Sequence, residues 1–210
     1  MTIEIDPQTL EWTKFTLEKM GEPVRMIVFT NTPCVLCDAT VEIVKKIAEI
    51  SSKVTVEVID RSKDTNTASI YGIDKYPAIL LRGKEDNRAR FFGIPAGFEF
   101  GVLVSDLVTA SIGPVDLGED VKLTLQQLTK QVHIEVFTLP TCPRCPIVSK
   151  MVHDFAYSSK NITADIIDAM EFRELAAANK VLEVPKVIVN GNEVGEIASQ
   201  REFAEFLIKV

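Results

Sequence analysis

The chain has 210 residues, 46% hydrophobic and 25% charged, which is a globular composition long enough for two domains of roughly 100 residues with a core each. A net charge of −7 gives no electrostatic footprint for nucleic acid, and no run of about 18 apolar residues exists to cross a membrane. The opening Met1-Thr2-Ile3-Glu4-Ile5-Asp6 lacks the basic start and apolar block of a secretory signal, so a cytoplasmic location is expected.

Asp6 followed by Pro7 predicts an N-cap and first helical position, opening an amphipathic helix to about residue 20 that carries Leu10, Trp12, Phe15 and Leu17. An apolar strand over 24–30 leads into a short loop bearing Cys34-Val35-Leu36-Cys37, and a helix with Val44 and Ala48 on one face runs on to about residue 50. A strand over 54–60, a short and poorly patterned helix, and a strand opening at Pro77-Ala78-Ile79 follow, with Gly83 in the turn to a fourth strand. A helix over about 97–110 closes this course. Residues 113–118 read as a linker between domains 1–112 and 119–210.

The second half repeats the first. A helix over about 120–131 is the counterpart of the opening one, and Cys142-Pro143-Arg144-Cys145 stands 108 residues after the first cysteine pair. The same offset carries Val28, Phe29 and Thr30 to Val136, Phe137 and Thr138, Asp60 to Asp168, and Pro77 to Pro185. It falls to 102 at Gly93 and Gly195, so the first copy has a hairpin six residues longer within 84–90. One register kept by all four cysteines means two copies of one module. Each copy reads β-α-β-α-β-β-α, a mixed four-stranded sheet flanked by helices, giving an α/β fold of two tandem modules.

The cysteines carry the chemistry. Close pairs in a cytosolic chain are catalytic, redox-sensing or metal-binding rather than structural staples. At a strand-to-helix junction the first sulfur sits beside free helix N-terminal amides, which favour the thiolate, so Cys34 and Cys142 are the expected nucleophiles. Cys37 and Cys145, about one turn further in, are the expected resolving residues. Pro77 and Pro185 each stand 43 residues after the first cysteine, directly before an apolar strand.

With these prolines the chain resembles the thioredoxin-like superfamily. More closely, it resembles the two-module protein disulfide oxidoreductases, or glutaredoxin-like proteins, of thermophilic archaea and bacteria. The likeness spans the leading helix, both modules, the CPxC of the second copy and Phe92-Gly93-Ile94-Pro95-Ala96-Gly97. It implies cis prolines packed beside the cysteines, with Tyr76 and Val184 offering their backbones to an extended client peptide. It also implies protein disulfide or dithiol clients, a flavoprotein donor of the thioredoxin-reductase type, and no bound cofactor. Two features depart from the relatives. Val28 and Val136 stand where thioredoxins place a buried acid, and the glutathione-binding residues of glutaredoxins have no clear match.

Zinc fits poorly, because 104 residues separate Cys37 from Cys142 and neither His133 nor His153 stands at ligand spacing. His133 is expected to begin a strand, and His153 to face out from a helix or pack along it. Glu57 and Asp165, at equivalent strand positions, are expected as gatekeeper charges on edge strands, with proton relay as the alternative. Asp60 and Asp168 read as turn or cap residues, and Phe91-Phe92 as core. The expected activity is thiol–disulfide exchange on proteins, by reduction, formation or isomerisation. The alternative is a dedicated electron carrier from a flavoprotein to a peroxidase. Arg144, between the second pair of cysteines, is expected to stabilise the Cys142 thiolate, while Asp38 disfavours that of Cys34.

Overall fold

The first helix, α1 (Pro7–Leu17), begins where the Asp6 carboxylate accepts from the backbone N–H groups of Gln8 and Thr9 at 3.0 and 3.1 Å. The computed structural model describes residues 4–84, 88–113, 115–195, 197 and 199–210. In α1 the buried stripe is Thr13, Thr16, Leu17 and, just past its end, Met20. Trp12 and Phe15, expected on the apolar face, lie off that stripe and are 42% and 62% exposed. Thr13 tolerates burial because its hydroxyl donates to Thr9 O at 2.7 Å.

After α1 come β1 (Val24–Thr30), α2 (Cys37–Ile50), β2 (Val54–Asp60), α3 (Thr65–Ile70), β3 (Ala78–Arg82), β4 (Ala89–Phe92) and α4 (Phe98–Ile112). The second half follows the same course through α5 (Glu119–Gln126), β5 (Val132–Thr138), α6 (Cys145–Ser158), β6 (Ile162–Asp168), α7 (Arg173–Ala178), β7 (Lys186–Val189), β8 (Asn192–Val194) and α8 (Gln200–Leu207). α1 packs on α4 as α5 packs on α8, which makes the leading helices counterparts. The tip of the longer first hairpin falls on residues 85–87, and Pro114 in the linker segment, outside the described residues.

The two four-stranded sheets do not stay separate. They join through a parallel β4–β6 pairing, Ala89 opposite Ala164 to Phe92 opposite Ile167, into one eight-stranded sheet ordered β2-β1-β3-β4-β6-β5-β7-β8. Strands β1, β2, β4, β5 and β6 share one direction, while β3 and β7 run against it. The C-terminal ends of β1 and β5, and hence both cysteine loops, therefore emerge along the same end of the sheet. Four strand spacings of about 4.8 Å put those ends about 19 Å apart.

One apolar cluster runs unbroken across the joint, from Val28, Val44 and Ile79 through Phe91, Leu103 and Leu107 to Val152, Phe155 and Leu207. A second cluster on the other face holds Phe29, Leu80, Phe92, Phe137 and Ile167 against Ala68 of α3 and Ala176 of α7. Phe91 and Phe92 are core, at 3% and 2% exposure. No helix of the described residues is long and apolar enough to cross a membrane.

The joint explains one misplaced expectation. Glu57 does lie on an edge strand, β2, where Arg25 pairs with it at 3.0 Å in the open. Asp165 does not: β6 is covered by β4 on one side and β5 on the other, and Asp165 is fully buried. Its carboxylate takes Arg90 Nε and Nη2 at 2.6 and 2.8 Å and lies 2.8 Å from His133 Nε2. His133 is thus a partner in this cluster as well as a residue of β5. A buried carboxylate with a bidentate guanidinium is a satisfied one.

Candidate active sites

Both cysteine pairs are closed as disulfides, Cys34–Cys37 and Cys142–Cys145, each with Cα atoms 5.5 Å apart. In each, the second cysteine is the first residue of a helix, α2 or α6, while the first sits in the loop before it. Neither helix has a side-chain cap, so its N-terminal amides are left for another acceptor. At the second site Cys145 N–H donates to Cys142 Sγ at 3.1 Å. The amide that would stabilise a Cys142 thiolate is in place before the bond is reduced. The buried partners are Cys37 at 5% and Cys145 at 0% exposure; Cys142 is 9% exposed and Cys34 half-buried.

The Tyr76–Pro77 and Val184–Pro185 peptide bonds are cis, as is Thr32–Pro33, which no sequence feature singled out. Val184 O lies 3.8 Å from Cys142 Sγ, bringing the residue before the second proline against the first sulfur of the pair. Tyr76 is half-buried, with its hydroxyl donating to Ile73 O at 3.3 Å and the Arg61 guanidinium 5.6 Å from its ring centre. Arg144 is exposed at the N-cap position of α6, and Asp38 is exposed in the first turn of α2.

The first module reaches into the second site. After β4 the Phe92-to-Gly97 stretch crosses the joint, and Phe98 N–H donates to Pro140 O at 3.0 Å, two residues before Cys142. Gly97 has φ +59°, and a Cβ there would overlap the Pro140 carbonyl, so only glycine lets this turn close on the cysteine loop. Next along α4, Glu99 is 4% exposed and accepts from Ser149 Oγ at 3.1 Å. Ser149 is one turn beyond Cys145 on the same face of α6. Burial pushes the Glu99 carboxyl up to about 7, opposed by the Ser149 hydrogen bond and helped by the charges of Asp106 and Asp168.

A cavity of about 10 Å³, enough for the centre of one water, lies beside it, lined by Gly93, Ile94, Glu99, Thr138, Pro140 and Asp168 among others. Asp168 serves the turn as expected, accepting from Met170 N–H at 2.8 Å, and burial raises its carboxyl. Glu171 accepts from Ile94 N–H at 3.2 Å, and burial pushes it up to about 7. Asp60, the first-module counterpart of Asp168, makes the same kind of turn with Ser62 N–H at 2.9 Å.

Glu99 is the buried carboxylate near the second site that the sequence reading did not single out. Its signal was present: α4 is apolar apart from a few positions, and Glu99 and Asp106, seven residues apart, share one face. That face meets α6, where Asp106 takes His153 Nδ1 at 2.6 Å and Lys150 Nζ at 3.5 Å. His153 is therefore buried in the interface at 0% exposure and does not face out. Among the described residues no group of three or more His, Cys, Asp or Glu could hold a metal ion.

Comparisons with known proteins bear on this geometry. A family model for the thioredoxin domain matches residues 132–208. The chain is 28% identical over 153 residues to an NADH dehydrogenase of Bacillus subtilis (strain 168), covering 73% of this chain and 28% of that one. It is 27% identical over 184 residues to the F component of the alkyl hydroperoxide reductase of Escherichia coli (strain K12), covering 87% and 33%. The chain thus spans about a third or less of the length of the curated relatives it matches. A solved protein disulfide oxidoreductase from Aeropyrum pernix K1 superposes with a TM-score of 0.90 at 26% identity, over 98% of this chain and 93% of that one.

Proposed function

We propose that the chain is a two-module thiol–disulfide oxidoreductase, as its likeness to the thioredoxin domain and to a solved protein disulfide oxidoreductase supports, and that it exchanges disulfides with protein clients through both cysteine pairs, with the second pair facing the client. The observation that carries this reading is the second site itself. There a helix-N-terminal amide meets Cys142 Sγ at 3.1 Å and the Val184 carbonyl lies 3.8 Å away.

In the reducing direction an extended client segment lies along Val184 and Pro185, by backbone pairing of the kind that adds a strand to a sheet edge. The Cys142 thiolate attacks one client sulfur; a Cys142–client bond forms, the client S–S bond breaks, and the other client sulfur leaves as a thiolate. Cys145 then gives its proton to the Glu99 carboxylate and attacks Cys142 Sγ. This closes Cys142–Cys145 and releases the second client thiolate. The client gains two electrons and the pair loses two. Cys34 and Cys37 act likewise at Tyr76 and Pro77, taking electrons from a flavoprotein donor; because the two pairs stand about 19 Å apart on one sheet, they pass these to the second pair of another molecule, through a mixed disulfide between the two chains. The functional units are residues 1–112 and 119–210, joined at 113–118.

Turnover of insulin disulfides by dithiothreitol tests this. Cys34→Ser should reduce the rate, Cys142→Ser should reduce it more, and the double variant should be inactive. Full activity in the double variant would overturn the reading.

The likeness to the alkyl hydroperoxide reductase component favours a second reading, in which the same relay serves one peroxidase. Rates against a panel of unrelated protein disulfides separate the two: broad reduction supports the first, and a single efficient acceptor the second.

A further inference from the structure

Glu99 is shut away from solvent at 4% exposure, so a proton it takes from Cys145 has to leave by another group. Ser149 holds Oε1, while Oε2 has no hydrogen-bond partner among the described residues. Across the water-sized cavity that Glu99 lines stands Asp168. Asp168 Oδ1 accepts from the N–H groups of Met170 and Glu171 at 2.8 and 3.3 Å, which fixes the carboxylate at the cavity wall. Glu171, three residues on, is half-buried, and its Oε2 is held beside Gly93 by Ile94 N–H. Gly93, at φ +102°, has no side chain to separate them: a Cβ there would meet Asp168 Cβ and Glu171 Oε2. The carboxylates thus run from the buried base to the surface along one wall of the turn from the first module.

We propose that the proton released at Cys145 leaves the second site from Glu99, through one water in this cavity, to Asp168 and then to Glu171 at the surface. This rests on the reading of Cys142–Cys145 as an exchange site with Glu99 as its base. Each handover breaks one O–H bond and makes another: Glu99 returns to carboxylate, the water is unchanged, and Glu171 gives the proton to solvent. In bulk, the departed client thiolates can take protons. No electron moves in the relay, and the hydrogen bonds of Asp168 and Glu171 run to Met170, Glu171 and Ile94 rather than to a cysteine.

The electrostatics suit transfer. Burial does most to raise the carboxyls of Glu99 and Glu171; Asp168 adds to both and Asp106 to Glu99, while the Ser149 hydrogen bond and His153 on α6 oppose the rise at Glu99. Glu99 and Glu171 are both pushed up to about 7, chiefly by burial, and burial raises Asp168 between them as well, so each of the three can hold the proton in passing.

The test uses the full chain with Cys34→Ser and Cys37→Ser, leaving the second pair alone. Reaction of the reduced protein with Ellman's reagent puts thionitrobenzoate on Cys142, and its first-order release by Cys145 is followed against pH. Asp168→Asn and Glu171→Gln should each slow release about three- to tenfold at neutral pH, short of the roughly hundredfold expected for losing the base itself in Glu99→Gln. Added imidazole, a small diffusible base, should restore both relay variants towards the parent rate. Removing the Asp168 charge should also move the pH inflection assigned to Glu99 downward. Unchanged release in both variants beside a slow Glu99→Gln would overturn the relay and leave the base assignment standing. A slow relay variant that imidazole does not restore would also overturn it. A Glu99→Gln protein as fast as the parent would instead remove the base, and the relay with it.

Discussion

Arg25 and Glu57 in the first module occupy the same positions as His133 and Asp165 in the second, 108 residues later, and the two pairs have different fates. Arg25–Glu57 lies in water, its side chains 51% and 43% exposed. Asp165 is sealed in by β4, which brings Arg90 as a second cation. Neighbourhood, not strand chemistry, decides which is a surface ornament and which a structural centre. The pair on the open edge also repels another strand from pairing there, whereas the same design on β6 was put to use by the strand that covers it.

The last strands of the two modules repeat the contrast. β4 presents Ala89-Arg90-Phe91-Phe92 and is paired on both sides, but its counterpart β8 is three residues long, Asn192-Glu193-Val194, and mostly exposed. Because the two modules are stacked in the same sense, β8 of one molecule could in principle take β2 of the next, and such a contact does not close on itself. A short polar β8 and the charge of Glu57 on β2, paired to Arg25 on β1, make it unfavourable.

The largest expected effect breaks this comparison at its centre. Asp165→Ala strands Arg90 in the joint and should cost about 3–5 kcal/mol in denaturant unfolding. Glu57→Ala, its exposed counterpart, should cost no more than about 1 kcal/mol. Equal losses would show that burial behind β4 does not set the value of the pair.

A second, smaller effect separates the two sites. Gly97→Ala forces a side chain onto Pro140 O at a backbone conformation few residues adopt, with a cost of about 1–3 kcal/mol. Turnover measured with only the second pair intact should fall, while turnover measured with only the first pair intact should hold. Parallel losses at both sites would argue against a turn dedicated to the second.

How far all this was legible follows from where the information lies. The module pattern was readable because cysteines, prolines and strand periodicity are local and repeated in register, as Cys34/Cys142 and Pro77/Pro185 show. The joint was not, because nothing local in Asp165 distinguishes a gatekeeper from a buried ion-pair partner; Arg90 stands 75 residues away. Glu99 was hidden similarly: the buried carboxylate proposed as the base of the second site comes from the first module, in a helix whose fourth-strand approach looked like an ordinary turn. Trp12 and Phe15 failed for a simpler reason. Their size attracted them to the core, but the helical phase of Thr13, Thr16 and Leu17 had already taken the buried face.

A third expectation concerns pH. Burial works against an ionised Asp165, but the His133 hydrogen bond and the Arg90 charge prevail and hold its carboxyl below the usual range. The Asp165 hydrogen bond, partly offset by burial, holds His133 above its usual value. The Asp165 contribution to stability is complete above its unfolded value of about 3.9 and is lost as pH falls through the lower folded one. The His133 contribution is complete below about 6.5 and is lost as pH rises through the raised folded value. Stability from the cluster should therefore be greatest between about pH 4 and 6.5. Unfolding midpoints should show this plateau, and His133→Gln should remove its alkaline limb. Glu57→Gln should leave the plateau where it is.

The smallest effect sharpens the comparison between the cysteine pairs. The first pair encloses Val35 and Leu36 and is followed by Asp38, whereas the second encloses Pro143 and Arg144 and is followed by Pro146. A nearby cation lowers the free energy of a thiolate and a nearby carboxylate raises it, so Cys142 should ionise more readily than Cys34. Stabilising the reduced, ionised form makes the matching disulfide the stronger oxidant, which sends electrons from the first pair to the second. Both Arg144 and Asp38 are exposed, so water and salt weaken each contribution. The difference attributable to them should therefore stay within about one pKa unit for the thiols, or about 30 mV for the two-electron couples. Arg144→Leu should lower the potential of the second pair, Asp38→Ala should raise that of the first, and each should narrow the gap. Raising the salt concentration should narrow it in the parent and have less effect in the double variant. A first pair already more oxidising than the second would reverse the proposed direction of electron flow and overturn this assignment.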